Sequence, residues 1–337
     1  MIPNLALVPE LTAAGYEIYY IGSHAGIERE LVEQAGIPYF GISSGKLRRY
    51  RSVKNVTDLL RVCKGFVDAV RVIRKIRPDI VFSKGGFVVV PVVAAARFLR
   101  VNAVIHESDM TPGLANRLAI PFAAKVCVSF PETLKHVPEK KGVLTGSPIR
   151  PELLVGDGKR MDFGFDSRPV LLVTGGSQGA AAINTCVREA LPQLLEKFNV
   201  VHLCGKGNLS EVEHPGYMEF EYLNETMADV LALADIVVSR AGANTLFELA
   251  AIRKPNLLIP LPAEVSRGDQ LLNAASFERQ GFSMVLPEGE MTPQQLVTRV
   301  RELFERREEF ARNMAAAKDV TGGTQRVMEV ITRVTQL

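Results

Sequence analysis

The 337-residue sequence has no tryptophan and only four cysteines, Cys63, Cys127, Cys186 and Cys204, with no Cys-x-x-Cys pair among them. That spacing excludes a disulfide scaffold and the usual thiolate zinc sites, and points to buried free thiols in a reducing compartment. No Asp-x-Asp pair occurs, so a diphosphate held through a metal is not suggested, and no metal or cofactor is expected. Strong charge of either sign is missing: 40 Lys and Arg against 37 Asp and Glu leave +3, which is no nucleic-acid footprint. There is no short tandem repeat and no low-complexity segment. No apolar run reaches membrane-spanning length; the longest, 87–96, contains Pro91 and is followed by Arg97. The opening residues lack a basic stretch, and their apolar residues are broken by Pro3, Pro9 and Glu10, unlike a secretory signal. The expectation is a cytoplasmic protein that touches a membrane surface.

What the sequence does have is an α/β rhythm. Hydrophobic residues make up 47% and charged residues 23%, as in soluble globular proteins, and the length favours two domains. In the first half, strand-like runs at 17–21, 39–42, 79–83, 103–106, 125–129 and 142–145 alternate with helical patterns at 26–35, 53–76, 90–99 and 114–124. In the second half, strands are read at 169–173, 200–204, 218–222, 235–238, 256–259 and 283–286, with a helix at 180–198 and helical pattern over 292–336. Such alternation predicts parallel sheets covered on both faces. The stretch 147–168 holds Pro148, Pro151, Gly156, Gly158 and Gly164 with little periodicity, and reads as a linker. The predicted organisation is a first domain over 1–146, a linker over 147–168, a second domain over 169–320, and a C-terminal helix over 321–337 that packs back on the first domain.

The two halves open differently. The second begins with a strand, then Thr174-Gly175-Gly176-Ser177-Gln178-Gly179, then a helix. Glycines let the backbone approach an anion and the helix start supplies free N–H groups, so this loop reads as a phosphate site, or as a strand-to-helix turn that needs glycine for its geometry. No Gly-Lys-Ser/Thr follows it and its spacing is not Gly-x-Gly-x-x-Gly, so it is neither a P-loop nor a simple dinucleotide fingerprint. The first half instead opens on a helical pattern over 4–14, behind Pro3. The first strand of a doubly wound sheet is central, and its loss forfeits about five or six buried side chains at roughly 1.5–3 kcal/mol each. The first domain is therefore expected to lack its first strand, with the chain starting late.

Further candidates lie at strand ends. Arg240-Ala241-Gly242-Ala243-Asn244-Thr245-Leu246-Phe247-Glu248 follows a strand and opens a helix; a carboxylate there can accept from both hydroxyls of a ribose, or is an ordinary solvated helix residue. Gln270 stands at another helix start, where its amide suits sugar hydroxyls or simply caps the helix. His106 and Glu107 end an apolar strand at the edge where open α/β sheets bind ligands, and a histidine there is a candidate base or a satisfied structural residue. A basic cluster, Lys46, Arg48, Arg49, Arg51 and Lys54 followed by Arg61, Lys64, Arg71, Arg74, Lys75 and Arg77, flanks apolar helix faces. That suits anionic headgroups, or an ordinary solvated helix face.

These residues together resemble the MurG family of peptidoglycan N-acetylglucosaminyltransferases. The resemblance covers essentially the whole chain, through Pro3-Asn4-Leu5-Ala6-Leu7, Gly85-Gly86-Phe87, His106-Glu107, Gly113-Leu114-Ala115-Asn116, Thr145-Gly146-Ser147-Pro148-Ile149-Arg150, Gly175-Gly176-Ser177-Gln178-Gly179-Ala180, the stretch from Arg240 to Glu248, and Asp269-Gln270 with Asn273-Ala274. It implies two Rossmann-like domains with parallel sheets in the GT-B architecture. It also implies inverting transfer of N-acetylglucosamine from UDP-N-acetylglucosamine to undecaprenyl-diphospho-N-acetylmuramoyl-pentapeptide. By that pattern Gly175, Gly176, Ser177, Gln178, Gly179 and Arg150 meet the donor diphosphate and Glu248 takes the ribose. Arg240, Ala243, Asn244, Thr245 and Gln270 line the sugar-nucleotide site. Asp109 stands where the family often has Asn near the donor sugar. The implied partners are the lipid acceptor, an anionic membrane surface at the cytoplasmic face and other cell-wall synthesis proteins, and no nucleic acid. The family's first strand and its glycine loop ending in Gly-His have no counterpart ahead of Pro3. The resemblance implies that this loop carries the general base, so the catalytic base of this chain is left unassigned, with His106 a candidate. The alternatives are a UDP-sugar 2-epimerase of the same fold and a form that binds UDP-sugar without turnover.

Overall fold

Among the described residues, parallel sheets of two, four and six strands organise the chain. The computed structural model describes residues 2–24, 26, 28–45, 54–176, 179–317 and 320–336. It divides into one unit made of Met1–Pro148 with Gly322–Leu337 and a second made of Ile149–Thr321.

The first unit opens with α1 (Ile2–Leu5) and α2 (Val8–Ala13), where the sequence pattern predicts one helix. Pro9 explains the break: it lacks an N–H and its ring collides with the carbonyl four residues back, so it is tolerated in the first turn of α2. There follow β1 (Tyr20–Ser23), α3 (Glu28–Gln34), β2 (Tyr39–Ile42), α4 (Lys54–Ile76), β3 (Ile80–Ser83), α5 (Val89–Phe98), β4 (Asn102–Glu107), α6 (Leu114–Ala119), β5 (Lys125–Val128) and β6 (Gly142–Leu144). β1 pairs in parallel with β2, while β3, β4, β5 and β6 form a parallel sheet of their own. Strand side chains alternate between faces. Ala103, Ile105, Val126 and Val128 join Ile73, Val89 and Val93 from the helices on one side. Val104 and Cys127 meet Leu7, Val327 and Ile331 on the other. Burial on both faces is why these strands read as continuous apolar runs. Cys127, Cys186 and Cys204 are buried as free thiols, but Cys63 is exposed on α4.

The second unit contains β7 (Val170–Thr174), α7 (Ala181–Leu194), β8 (Asn199–Leu203), β9 (Tyr217–Phe220), α8 (Met227–Leu233), β10 (Ile236–Ser239), α9 (Ala243–Ala251), β11 (Asn256–Leu258), α10 (Asp269–Arg279), β12 (Ser283–Val285), α11 (Pro293–Glu305) and α12 (Arg307–Ala316). The helical pattern over 292–336 is thus three helices, the last being α13 (Gly323–Thr335), which packs on β3, β4 and β5 of the first unit. Residues 149–168 are not a free connector. Leu153 is buried, and Met161, Phe163 and Phe165 pack on the apolar face shared by β7, β8 and β10.

The sheet order is β12-β11-β10-β7-β8-β9, all parallel. β7 is central, and the chain winds outward from it in both directions. The crevice at the C-terminal ends of β7 and β10 is therefore a topological switch point, where open α/β sheets bind ligands.

Candidate functional site

Two helix starts flank that crevice. After β7 the chain turns through Gly175 and Gly176, and residues 177–178 lie outside the described residues, so the expected roles of Ser177 and Gln178 fall there too. Gly179 has φ +73°, and a Cβ on it would stand 2.2 Å from the Cys204 carbonyl oxygen; only glycine fits. The turn closes through a bond from the Gly179 N–H to the Gly176 carbonyl at 2.9 Å. α7 then starts at Ala181 with no side-chain cap, leaving its first N–H groups for an anion. Asn184 in its first turns donates to the Cys204 carbonyl at 2.8 Å and contacts His202 Nε2 at 3.0 Å, which locks α7 to β8.

After β10, Gly242 leads into α9, again without a side-chain cap. Asn244, Thr245 and Glu248 lie on one helical face, Asn244 exposed and the other two half-buried, while Ala243 is buried. Glu248 is paired with Arg150: Nε donates to Oε1 at 2.8 Å and a terminal N–H to Oε2 at 3.2 Å. Their side chains are only 21% and 17% exposed. Burial works against the Arg150 cation, but the Glu248 carboxylate outweighs it and the guanidinium is held above its usual range. The residues assigned to diphosphate and ribose are thus each other's partner here. Arg240 turns the other way, donating to the Ile259 carbonyl at 3.1 Å and pairing with Glu288 at 2.5 Å. Gln270 Oε1 accepts from the N–H groups of Leu261 at 3.0 Å and Ala241 at 3.3 Å. It ties together the loops after β10 and β11, and its Nε2 is the end left to face a ligand.

The candidate base does not fit its part. His106 is fully buried, with Nε2 2.8 Å from the Gly146 carbonyl. Burial, with help from the nearby Lys84 cation, holds it well below the usual imidazole range, so it is a neutral structural histidine sealed from any substrate. Asp109 lies half-buried in the first unit just past β4, its N–H donating to Glu107 Oε1 at 3.0 Å.

The sequence reading placed Glu107 at a strand end and missed its work. Its Oε2 also accepts from the Gly113 N–H at 3.0 Å and from Asn116 Nδ2 at 2.8 Å, so one buried carboxylate clamps the whole loop 108–113. Burial raises its pKa and these donors pull it back. A signal was present: a glutamate ending an apolar strand, with an asparagine nine residues on at a helix start.

Comparison with known proteins agrees with this layout. Residues 1–128 match the glycosyltransferase family 28 N-terminal domain and residues 170–331 the family 28 C-terminal domain. A UDP-N-acetylglucosamine--N-acetylmuramyl-(pentapeptide) pyrophosphoryl-undecaprenol N-acetylglucosamine transferase of Lachnospira eligens is 56% identical over 317 residues, 93% of this chain and 90% of the relative. The crystal structure of MurG from Acinetobacter baumannii superposes with a TM-score of 0.76 at 26% identity, covering 98% of this chain and 95% of that one. A UDP-GlcNAc 2-epimerase from Neisseria meningitidis shares the fold, with a TM-score of 0.67 at 14% identity, covering 97% and 95%. The string from Gly175 to Gly179 also has the Gly-x-Ser-x-Gly spacing of a hydrolase nucleophile elbow, a reading the family match sets aside.

Proposed function

The chain belongs to the MurG family of family 28 glycosyltransferases, with their two-domain parallel α/β fold, and we infer that it is a hexosyltransferase of peptidoglycan synthesis. It moves N-acetylglucosamine from UDP-N-acetylglucosamine to undecaprenyl-diphospho-N-acetylmuramoyl-pentapeptide. The observation that carries this reading is 56% identity over 93% of the chain. The crevice chemistry supports it. Breaking the sugar–phosphate bond leaves UDP, so negative charge grows on the diphosphate, and on this reading the uncapped start of α7 and Arg150 stabilise it. Glu248 takes the ribose hydroxyls, and Gln270 Nε2, Asn244 and Thr245 line the sugar-nucleotide site. No described residue is assigned as the base that takes the acceptor proton, since His106 is sealed in the core.

The purified protein is expected to transfer labelled N-acetylglucosamine from UDP to the lipid acceptor, with no product when the acceptor is omitted. Formation of UDP-N-acetylmannosamine without acceptor would move the reading to the 2-epimerase. UDP-N-acetylglucosamine binding by calorimetry with no transfer would leave only a donor-binding protein.

The acceptor's lipid end fits the first unit. Among the described residues no helix is long and apolar enough to cross a membrane. On α4, Leu60, Lys64, Val67, Arg71 and Arg74 form one exposed stripe at helical spacing. Phe98 of α5 stands beside it, its ring 5.9 Å from that of Phe66. Leu60 is 67% exposed and Phe98 63%, apolar groups beside basic ones, as at a surface with anionic headgroups. Lys46, Arg48, Arg49 and Arg51 lie outside the described residues. In sedimentation with anionic vesicles, binding is expected to weaken as salt rises, and Leu60→Asp with Phe98→Asp to weaken it about tenfold or more. Binding indifferent to both would remove the membrane from the proposal.

A further inference from the structure

We propose that His202 is a positioning residue for donor binding: through Asn184 it fixes the Cys204 carbonyl on which the phosphate loop rests. The inference builds on the donor reading of that loop and adds a residue to it. His202 stands on β8, opposite Val173 of β7 and Glu219 of β9. It is fully buried, so it acts on the donor only through its neighbours.

The bonds around the ring fix which nitrogen carries hydrogen. Asn184 lies one helical turn past the uncapped start of α7. The Cys204 carbonyl can only accept, so the Asn184 amide turns its Nδ2 to it, at 2.8 Å. That leaves Asn184 Oδ1 facing His202 Nε2 at 3.0 Å. Two acceptors would repel there, so Nε2 is the nitrogen that donates. The other nitrogen, Nδ1, is 2.9 Å from the Tyr217 hydroxyl. That hydroxyl has one hydrogen and two acceptors in reach, Nδ1 and, at 3.0 Å, Glu219 Oε1. Glu219 is already supplied. Arg188 donates to its Oε1 at 2.6 and 3.1 Å, and the N–H and hydroxyl of Ser210 donate to its Oε2 at 2.6 and 2.7 Å. The Tyr217 hydrogen is therefore spare for Nδ1. Burial outweighs the Glu219 carboxylate and, with the Arg188 cation, lowers His202 to about 4, so the ring is neutral near pH 7. The neutral tautomer with hydrogen on Nε2 satisfies both nitrogens.

The phosphate loop depends on this order. A Cβ on Gly179 would stand 2.2 Å from the Cys204 oxygen and 3.1 Å from Gly205 Cα, so the end of the loop rests directly on that carbonyl. Asn184 also belongs to the helix whose first N–H groups are offered to the anion, and its own N–H bonds the Ala180 carbonyl at 2.9 Å. A shift of Asn184 moves the loop and the helix start together, relative to β8.

The test compares variants of the full chain. His202→Gln offers an amide nitrogen toward Asn184 and an amide oxygen toward Tyr217, the same donor and acceptor as the Nε2–H tautomer. His202→Phe keeps a ring and loses both. Tyr217→Phe removes a buried hydrogen bond from the same network but leaves Nε2 on Asn184, with Nδ1 turning to Glu219 Oε1, 3.4 Å away. For UDP-N-acetylglucosamine, Kd by calorimetry and KM are expected to rise about tenfold or more in His202→Phe, with kcat at saturating donor changed less. Both should stay within about twofold of wild type in His202→Gln and Tyr217→Phe. Hydrogen exchange at residues 179–184 should quicken in His202→Phe and not in the other two. If His202→Phe does not fold, His202→Asn replaces it with the same expectation, since its shorter amide reaches only the Tyr217 side. In 15N NMR spectra of the wild type, one imidazole should remain the Nε2–H tautomer through the neutral range. The inference fails if loss of the ring nitrogens leaves donor binding unchanged, if Tyr217→Phe weakens it as much, or if the buried ring carries its hydrogen on Nδ1. With wild-type transfer intact, those results leave the transferase reading standing. Donor binding without transfer, in the expected order of variants, would remove that reading and keep the role of His202.

Discussion

Gly179→Ala is expected to cost about 2–5 kcal/mol of stability and to weaken UDP-N-acetylglucosamine binding more than tenfold. Two penalties coincide at this residue. Its φ of +73° is left-handed, which costs a residue with a Cβ about 1–2 kcal/mol. The new methyl would also stand 2.2 Å from the Cys204 carbonyl oxygen, and that carbonyl is not free to move. The Cys204 N–H is bonded to the Phe220 carbonyl at 2.9 Å, and the oxygen itself accepts from Asn184 at 2.8 Å. Strain therefore goes into the phosphate loop, or pushes α7 off β8. Gly207→Ala is the control: φ is +75° there, but nothing stands within 4 Å of the added carbon. Thermal or urea unfolding should separate the two variants by about 1–3 kcal/mol. Equal losses would mean that the Cys204 backbone yields, and that Gly179 is required for its φ alone.

How much of this was legible in the sequence follows from which signals are local. The strands and their parallel pairing were, because residues buried on both faces leave continuous apolar runs such as Val170 to Val173, and a glycine turn before a helix has one common geometry; the order of the strands in each sheet was not. The role of 149–168 was not. Leu153, Phe163 and Phe165 have no regular period, and only their packing on the β7–β10 face shows that they belong to a core. His106 illustrates a second limit. Periodicity places it at the end of β4, but its depth is set by Gly146, forty residues away. Gln270 and Arg240 illustrate a third. Their amide and guanidinium are correct groups for a sugar nucleotide, yet the ends that the protein itself uses depend on Leu261, Ile259 and Glu288 in other loops. Donor and acceptor types are written in a sequence; the competition among partners for them is not.

The pair between Arg150 and Glu248 is where that competition decides function, and Glu248→Ala is expected to lower kcat/KM by about 100-fold. In the structure each group satisfies the other in a bidentate bond. A bound donor offers each a better-matched partner, diphosphate for the cation and ribose hydroxyls for the carboxylate. Both then exchange partners together, and breaking the pair costs some donor affinity. Arg150→Ala should lower kcat/KM as well, for a different reason: it strands a half-buried carboxylate beside the phosphate site and removes the charge that stabilises departing UDP. Donor analogues separate the two roles. Wild type and Arg150→Ala should both prefer UDP-N-acetylglucosamine over its 2′-deoxyribose analogue, whereas Glu248→Ala should lose that preference if its carboxylate reads the hydroxyl. The double variant should lose more than either single one if the two groups act on separate parts of the donor. If Glu248→Ala keeps the ribose preference, and the double variant is no worse than Arg150→Ala, then Glu248 only positions the arginine and the ribose is held elsewhere.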